Sequence, residues 1–380
     1  MSGGRSRVCS RGSKRSSTTR WSSSRSPSEP GSDPMARRLT VIAQDFRGGE
    51  ATGIARYSTN FIEGLRKRGI DFELRVLSSR EFRLGPIGFG FYVRIAYQRL
   101  ATRPRGPVHS LHPIVIPPKT SVMTVWDLMS YRSPPSPYAA WRWIVKGVTR
   151  DLSERPRVYV AITNAVRDDL HQILGVPLER IRVAVPGVDT ERFRPGLGPR
   201  PPALHGTRKI KVLHVGMGYE RKGIHLLVEA LGRLGPGRFR LVRVGPAKDP
   251  AYVASYLRRA EQLGLEVVEC GFVPDDALPM YYANADLLVF PSKDEGAGIP
   301  PLEAMASGTN VVVSDLRAHR EMCGDLAFYA GPGPESLDSA IEEVLAHPRD
   351  AGVLRSHSEA FSWAKTVDVY LRLYAELGIL

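Results

Sequence analysis

Two series of strand-like and helix-like segments, separated by a stretch rich in proline and glycine, most constrain what this 380-residue chain can fold into. Short apolar runs rich in branched residues predict strands, and segments with apolar residues at helical spacing lie between them. Strands that alternate with helices form parallel, doubly wound sheets. The separating stretch, residues 193–208, has no periodicity and is interpreted as a linker. We therefore predict an α/β protein with two Rossmann-like domains facing each other across a cleft.

The element boundaries follow from the same patterns. The predicted strands cover residues 39–46, 72–77, 121–125, 158–163, 181–185, 211–215, 238–244, 266–270, 287–290 and 310–314. The predicted helices cover residues 54–68, 165–174, 224–234, 251–263, 302–306 and 358–377. The resulting domains are 35–197 and 206–360, followed by a C-terminal helix in 361–380. The Ser/Arg-rich tail, residues 1–34, has too few large apolar residues to build a core, and we expect it to be disordered.

The most informative local pattern is the segment Ser292–Gly308, which directly follows a predicted strand. It places two carboxylates, Glu295 and Glu303, eight positions apart with a Gly-Ala-Gly-Ile turn between them. A glycine-rich turn that opens a helix presents free backbone N–H groups and the positive end of the helix dipole. Such a turn suits a diphosphate, and nearby carboxylates can accept hydrogen bonds from sugar or ribose hydroxyls. An ordinary strand–turn–helix with surface carboxylates is the alternative.

This segment resembles the Glu-x7-Glu signature of the retaining, nucleotide-sugar-dependent glycosyltransferases of family 4, which have the two-domain GT-B fold. The resemblance covers about residues 37–365 and is stronger in the second domain. It implies that Glu295 lies by the transferred sugar and that Glu303 holds the ribose hydroxyls. It also implies that the last helix crosses back to the first domain, although a cap on the second domain stays open. The turn residues implied to contact sugar and phosphate are Gly296, Ala297, Gly298 and Ile299.

A second pattern, Gly-Met-Gly-Tyr-Glu-Arg-Lys-Gly at 216–223, follows the first strand of the second series. Arg221 and Lys222 stand at the start of a helix, where cations oppose the helix dipole, so they suit an anionic ligand better than helix stability. In the resembled family the lysine contacts the donor phosphates, which implies this role for Lys222, with Gly216 in the donor loop. The family's usual arginine after the first glycine is Met217 here, so the phosphate clamp relies more on Arg221.

Two further loops match the resembled family. Residues 270–274 match its Gly-x-Val loop, which makes Phe272 or Val273 a candidate wall for the nucleotide base; a core aromatic at a strand end is the alternative. In the first domain, Gly-Ile-Ala-Arg-Tyr begins at Gly53, where the absence of a side chain lets the backbone approach the donor's β-phosphate. Arg56 in this loop is a candidate for positioning anionic groups and is grouped with the acceptor-binding residues, or it is an exposed helix arginine.

The clearest departure from the family is Trp126, which follows a strand where relatives commonly have a histidine near the donor sugar. A tryptophan can stack on a sugar face but cannot relay a proton. Either the acceptor chemistry differs, or His109 or His112 substitutes, although we expect both histidines to be strand-end residues without a catalytic role. Asp127 is a candidate for binding an acceptor hydroxyl.

Charge is uneven along the chain, with a net charge of +5 in residues 1–34, +13 in 35–200 and −4 in 201–380. A basic first domain predicts an anionic partner, such as a membrane surface or a lipid-linked phosphate acceptor, unless the source genome simply favours arginine. The basic, aromatic stretch 89–105 is the candidate for membrane contact. Nucleic acid is not expected because aromatic-basic binding modules are not evident.

The cysteines Cys9, Cys270 and Cys323 are scattered, which is typical of reduced thiols in a cytoplasmic protein. No apolar run reaches the length of a membrane span, so we expect a cytoplasmic protein that is at most peripheral on the inner face of the membrane.

The resemblance thus implies a retaining hexosyltransferase that moves mannose or glucose from a GDP- or UDP-sugar to a glycan, lipid-linked or other hydroxyl acceptor in cell-surface polysaccharide or glycolipid synthesis. No Asp-x-Asp motif and no metal-ligand spacing of histidines occur, so we expect a metal-independent transfer without a cofactor. Three alternatives stay open: a non-catalytic nucleotide-sugar-binding relative, a GT-B sugar-nucleotide epimerase and, less favoured, a nucleic-acid-binding protein.

Overall fold

The computed structural model describes residues 38–44, 53–77, 106–111, 120–129 and 156–380. The strands are β1 (Leu39–Gln44), β2 (Phe72–Leu77), β3 (Val108–Ser110), β4 (Thr120–Val125), β5 (Val158–Ala161), β6 (Ile181–Val183), β7 (Ile210–Val215), β8 (Phe239–Val244), β9 (Glu266–Gly271), β10 (Leu287–Phe290), β11 (Val311–Ser314) and β12 (Phe328–Ala330). The helices are α1 (Gly53–Lys67), α2 (Asn164–Leu174), α3 (Ile224–Arg233), α4 (Pro250–Leu263), α5 (Leu278–Asn284), α6 (Ile299–Ala306), α7 (Arg317–Cys323), α8 (Pro334–Ala346), α9 (Ala351–Glu359) and α10 (Trp363–Glu376).

Within the described ranges the strands form two six-stranded sheets, in the orders β2-β1-β3-β4-β5-β6 and β12-β11-β10-β7-β8-β9. The paired strands are parallel in both sheets. In the second sheet the chain proceeds outward from β7 to β9 and then returns to the other side of β7 with β10. Loops that follow the two strands at such a reversal diverge, and the crevice between them is where α/β sheets bind ligands. The predicted α/β fold of two doubly wound domains is confirmed.

The strands that flank this crevice are apolar because both faces of a doubly wound sheet are covered by helices. Strand β10 has the sequence Leu-Leu-Val-Phe and is buried at every position. Its neighbour β11 begins with three buried valines. Since the period-two alternation of a half-exposed strand is missing here, polar groups concentrate in the loops after the strands.

Several boundaries differ from the predictions. The predicted strand 158–163 ends at Ala161 because the Thr163 side chain accepts a hydrogen bond from the Val166 N–H and so caps α2. The predicted helix 358–377 is two helices, because the Ser362 side chain accepts from the Lys365 N–H and begins α10. The three-residue strands β3 and β12 and the helices α5, α7, α8 and α9 were not predicted.

The C-terminal helix α10 lies on the first domain. The Tyr370 hydroxyl is 2.7 Å from the Tyr57 hydroxyl of α1. The Tyr374 hydroxyl is 2.5 Å from Nδ1 of His109, whose Nε2 is 2.8 Å from Oγ1 of Thr124. Burial lowers the pKa of His109 to about 3, so this imidazole is neutral and serves the packing of α10. His109 was expected at a strand end, but it is the middle residue of β3 and lies in the core.

Some predictions concern residues outside the described ranges, namely the tail 1–34, the stretch 89–105, Cys9 and His112. In the part of the chain that the structure describes, no helix has both the length and the apolar character needed to cross a bilayer.

Candidate active site

A cavity of about 360 Å³ lies between the two domains at the crevice of the second sheet. It is lined by the ends of β7 and β8, by the loops after β7, β8, β9 and β10 and, from the first domain, by the start of α1 and the segments after β4 and β5. Every residue that the sequence assigned to the site lines this one cavity: Gly53, Arg56, Trp126, Asp127, Gly216, Arg221, Lys222, Phe272, Val273, Glu295, Gly296, Ala297, Gly298, Ile299 and Glu303. Their proximity is thus a property of the fold, and their individual roles stay predictions.

The centre of the cavity is an ion pair between Lys222 and Glu295. Lys222 Nζ lies 2.5 Å from Glu295 Oε1 and 4.8 Å from the centroid of the Phe290 ring. Arg221 Nη1 lies 3.7 Å from the same carboxylate oxygen. The close approach of the loop after β7 to the loop after β10 depends on Gly223, which has a φ of 68°. Gly223 packs directly on the Pro291 carbonyl, and a Cβ at position 223 would overlap that carbonyl. Two cations, Lys222 and Arg221, thus lie against the single carboxylate of Glu295.

The electrostatic environment keeps Glu295 ionised. Burial by itself would raise the pKa of this carboxyl group, but the charges of Lys222 and Arg221 outweigh burial and lower it below the usual value of 4.5. The carboxylate therefore depends on the two cations for its charge. A ligand whose phosphates bind Lys222 and Arg221 would weaken their effect on the pKa of Glu295, so anion binding is coupled to the protonation of this carboxylate.

The turn after Glu295 has unpaired backbone donors. Within the described part of the chain, the amides of Gly296, Ala297 and Gly298 donate no hydrogen bond to a protein acceptor. Gly298 has a φ of 75°, and a Cβ there would come within 2.6 Å of Cδ2 of the buried His319. The turn therefore requires glycine and leaves three N–H groups available beside the first turn of α6.

The second carboxylate, Glu303, is buried in the wall of the same cavity. Arg56 Nη1 of the first domain donates to Glu303 Oε1, and the Tyr282 hydroxyl donates to Oε2 at 2.8 Å. Arg56 also pairs with Asp275 at 3.0 Å. Burial would lower the pKa of Arg56, but the two carboxylates outweigh it and raise the pKa above its ordinary value. The alternative that Arg56 is an exposed helix arginine is wrong, since its side chain is only 16% exposed and bridges the domains.

Trp126 and Asp127 occupy the first-domain side of the cavity. The indole of Trp126 is buried edge-on against Tyr57, with ring centroids 4.4 Å apart, and its Nε1 donates to the Leu111 carbonyl at 2.9 Å. The indole thus belongs to the core of the first domain. Asp127 Oδ1 accepts from the Met129 N–H at 3.1 Å, and burial raises the pKa of its carboxyl group. A carboxylate with a raised pKa is a better proton acceptor than an exposed one.

At the rim, Phe272 is 46% exposed, so the alternative that it is a core aromatic is wrong. An exposed aromatic ring beside Val273 is available to pack on a planar ligand such as a nucleotide base. Among the residues that the structure describes, no group of three or more His, Cys, Asp or Glu side chains is arranged to hold a metal ion.

The sequence did not indicate the residues that contact the backbone of the loop after β7, which begins at Gly216. Arg243 in β8 is 1% exposed, donates to the Gly216 carbonyl at 3.1 Å and pairs with Glu269 at 2.5 Å. The Tyr256 hydroxyl donates to the other oxygen of Glu269 at 2.6 Å. A charged residue inside an apolar strand was the one available signal. Its partner Glu269 lies on the neighbouring strand, so only the sheet register brings the two together.

Two glycosyltransferase family models match parts of the chain. The family described as Glycosyl transferases group 1 matches residues 200–361, and the family described as Glycosyltransferase Family 4 matches residues 107–192. The D-inositol 3-phosphate glycosyltransferase of Paenarthrobacter aurescens (strain TC1) is 31% identical over 235 residues, covering 57% of this chain and 57% of that protein. The O-antigen chain mannosyltransferase RfbU of Salmonella typhimurium is 27% identical over 233 residues, covering 60% and 62%. The chain thus spans less than two thirds of the length of these two relatives.

A solved structure shares the whole architecture. The Anabaena protein Alr3699/HepE, in complex with UDP-glucose, superposes with a TM-score of 0.67 at 17% identity, over 89% of this chain and 99% of that one. At this identity the similarity establishes the fold alone.

Proposed function

Because the chain belongs to the family 4 glycosyltransferases and has their GT-B fold, we propose that it transfers a hexose, mannose or glucose, from a nucleotide sugar to a hydroxyl acceptor with retention of configuration. One observation carries the proposal: the Lys222–Glu295 pair, the unpaired amides of the Gly296–Gly298 turn and Glu303 line a single cavity between the domains. The similar proteins support the substrate class, since one is named as a mannosyltransferase and another holds UDP-glucose.

In the proposed complex the donor lies along the second domain. The nucleotide base packs at Phe272 and Val273, and the ribose hydroxyls bind Glu303. The diphosphate binds Arg221, Lys222 and the free amides of the turn, which are positive groups already held in place by the fold. The Glu303 carboxylate then either exchanges its hydrogen bond from Arg56 for the ribose hydroxyls or accepts hydrogen bonds from both.

During transfer, the bond between the sugar and the diphosphate breaks and negative charge develops on the leaving oxygen. Arg221, Lys222 and the turn amides stabilise this charge, which is the electrostatic role that a divalent cation has in other enzymes. Glu295 lies beside the sugar and orients it. Once the diphosphate engages Lys222, the Glu295 carboxylate is free to accept hydrogen bonds from sugar hydroxyls.

The acceptor approaches from the first domain. Asp127 is the acid–base candidate for its hydroxyl group, because burial raises the pKa of this carboxyl and its side chain faces the cavity. We propose a glycan or lipid-linked acceptor and a cytoplasmic enzyme that contacts the inner face of the membrane. Flotation with liposomes tests the membrane part, and equal recovery with neutral and anionic vesicles would refute it.

Thermal stabilisation by a panel of GDP-, UDP- and ADP-sugars tests the donor site. We expect one nucleotide to stabilise the wild type, and we expect Lys222→Ala and Glu303→Ala to lose this shift. Lys293→Ala is the matched control, because Lys293 pairs with Glu220 at the surface, 2.8 Å away, and does not line the cavity. A panel without any shift, or an equal loss in the control variant, would contradict the proposed donor site.

The buried Trp126 favours a second candidate function, which is nucleotide-sugar binding without transfer, because this residue supplies no proton relay at the cavity. Release of free nucleoside diphosphate separates the two functions: binding without any release supports the second. A sugar-nucleotide epimerase would instead release an altered free sugar without an acceptor.

A further inference from the structure

Thr163, in the first domain, makes a hydrogen bond to the donor-binding turn of the second domain. Its Oγ1 donates to the Gly296 carbonyl at 2.7 Å and accepts from the Val166 N–H at 3.2 Å. The side chain is fully buried. One hydroxyl therefore uses its donor on the turn and its acceptor on the N-terminus of α2, so the direction of the bond to Gly296 is fixed by chemistry.

This bond sets the orientation of the peptide unit between Gly296 and Ala297. The peptide is trans, so its carbonyl and its N–H point in opposite directions. Thr163 is not part of the cavity wall, whereas Ala297 is. A Gly296 carbonyl that points at Thr163 therefore turns the Ala297 N–H toward the side of the cavity. That N–H has no protein acceptor in the described part of the chain.

The contact is tight, which leaves the peptide little room to rotate. The carbonyl of Trp126, which like Thr163 belongs to the first domain, packs on Gly296, and a Cβ at position 296 would overlap it. Other contacts hold the domains together without touching the turn. The Glu321 carboxylate accepts from the amide of Asn164 at 2.8 Å. Arg317 donates to Asp169 at 3.0 Å.

We propose that Thr163 is a positioning residue, which holds the Gly296–Ala297 peptide so that the Ala297 N–H faces the donor when the domains are closed. The catalytically oriented turn then exists only in the closed arrangement, since the Thr163 hydroxyl and the Trp126 carbonyl that hold it belong to the opposite domain. The proposal rests on the proposed function for the identity of the donor. It assigns a role in donor chemistry to the domain that otherwise receives the acceptor.

Thr163→Val keeps the size of the side chain and removes the hydroxyl, whereas Thr163→Ser keeps the hydroxyl. We measure kcat and KM for hydrolysis of GDP-mannose and UDP-glucose with water as the acceptor. We expect Thr163→Val to lower kcat by about 10- to 100-fold, because an amide that is misaligned by a fraction of an ångström loses much of its transition-state stabilisation. KM should change by less than about threefold, because Glu303 and the base wall are untouched, and Thr163→Ser should restore kcat.

Glu321→Gln is the matched control, because it weakens the other cap of α2 and an interdomain contact without touching the turn. If Glu321→Gln lowers kcat as much as Thr163→Val, or if Thr163→Val keeps wild-type kcat, the positioning role is refuted. A crystal structure of Thr163→Val is a second test, which does not depend on enzymatic activity. An unchanged orientation of the Gly296–Ala297 peptide refutes the positioning role, and a rotated peptide supports it. A wild-type chain that neither binds nor hydrolyses either nucleotide sugar refutes the proposed function, and the crystal structure then decides the role of Thr163 by itself.

Discussion

Replacing Lys222 with methionine removes the charge that supports Glu295 and keeps most of the volume of the side chain. Loss of one partner from a fully buried ion pair costs about 3–5 kcal/mol. Here the side chains are 10% and 11% exposed and Arg221 stays 3.7 Å from the carboxylate. We therefore expect the free energy of unfolding at pH 8 to fall by a smaller amount, about 2–3 kcal/mol.

The loss should depend on pH in a defined direction. In the wild type the pKa of Glu295 is lowered below 4.5, so the stability contributed by the ionised group is present above pH 4.5 and is lost as the pH falls. In Lys222→Met burial dominates and the pKa rises, so the variant is most stable relative to the wild type at low pH. The difference between the two proteins should therefore grow as the pH rises from 4.5 toward the pKa of Glu295 in the variant, by about 1.4 kcal/mol for each pH unit in that interval.

Urea unfolding at pH 4.5, 6 and 8 measures this difference. The double variant Lys222→Met/Glu295→Gln is the control, because it removes both charges and should recover most of the lost stability at pH 8. A difference that is the same at all three pH values would refute the reasoning. So would a double variant that is no more stable than Lys222→Met, because the loss would then come from packing rather than from an unpaired carboxylate.

Three further predictions follow from other parts of the molecule. Gly296→Ala should abolish donor-induced thermal stabilisation while leaving the far-ultraviolet circular dichroism unchanged, because its Cβ would overlap the Trp126 carbonyl and force the turn away from the first domain. Tyr370→Phe should lower the free energy of urea unfolding by about 1–3 kcal/mol, because it removes the partner of the buried Tyr57 hydroxyl and one of the two partners of the Thr124 hydroxyl, which keeps His109. A Tyr370→Trp variant that loses no more stability than Tyr370→Phe would contradict the tight packing of α10. Burial lowers the pKa of His109 and of His214 from 6.5 to about 3, so the folded state is penalised as the pH falls below 6.5 and the unfolded state binds protons. Lowering the pH from 7 to 5.5 should therefore decrease the free energy of unfolding by about 1.2 kcal/mol for each histidine. His109→Gln should reduce this pH dependence in urea unfolding.

The candidate site illustrates which residues a sequence can reveal. Glu295, Glu303 and Lys222 stand in short segments whose order of strand, glycine turn and helix is local, so each segment was recognisable without the fold. Arg56 was ambiguous, because its partner Glu303 lies 247 residues away. Thr163 resembled the end of a strand, because neither its capping bond nor its bond across the domain interface follows from the neighbouring residues.

The sequence by itself determined the fold class, the two-domain division and the segments that line the cavity, because apolar periodicity and glycine turns are properties of consecutive residues. Only the tertiary structure decided which charges meet. The Lys222–Glu295 pair needs the sheet order that places β7 beside β10. The contacts of Arg56 and Thr163 need the second domain to lie against the first. Electrostatic and hydrogen-bonding interactions act over a few ångströms in space, and separation along the chain carries almost no information about that distance.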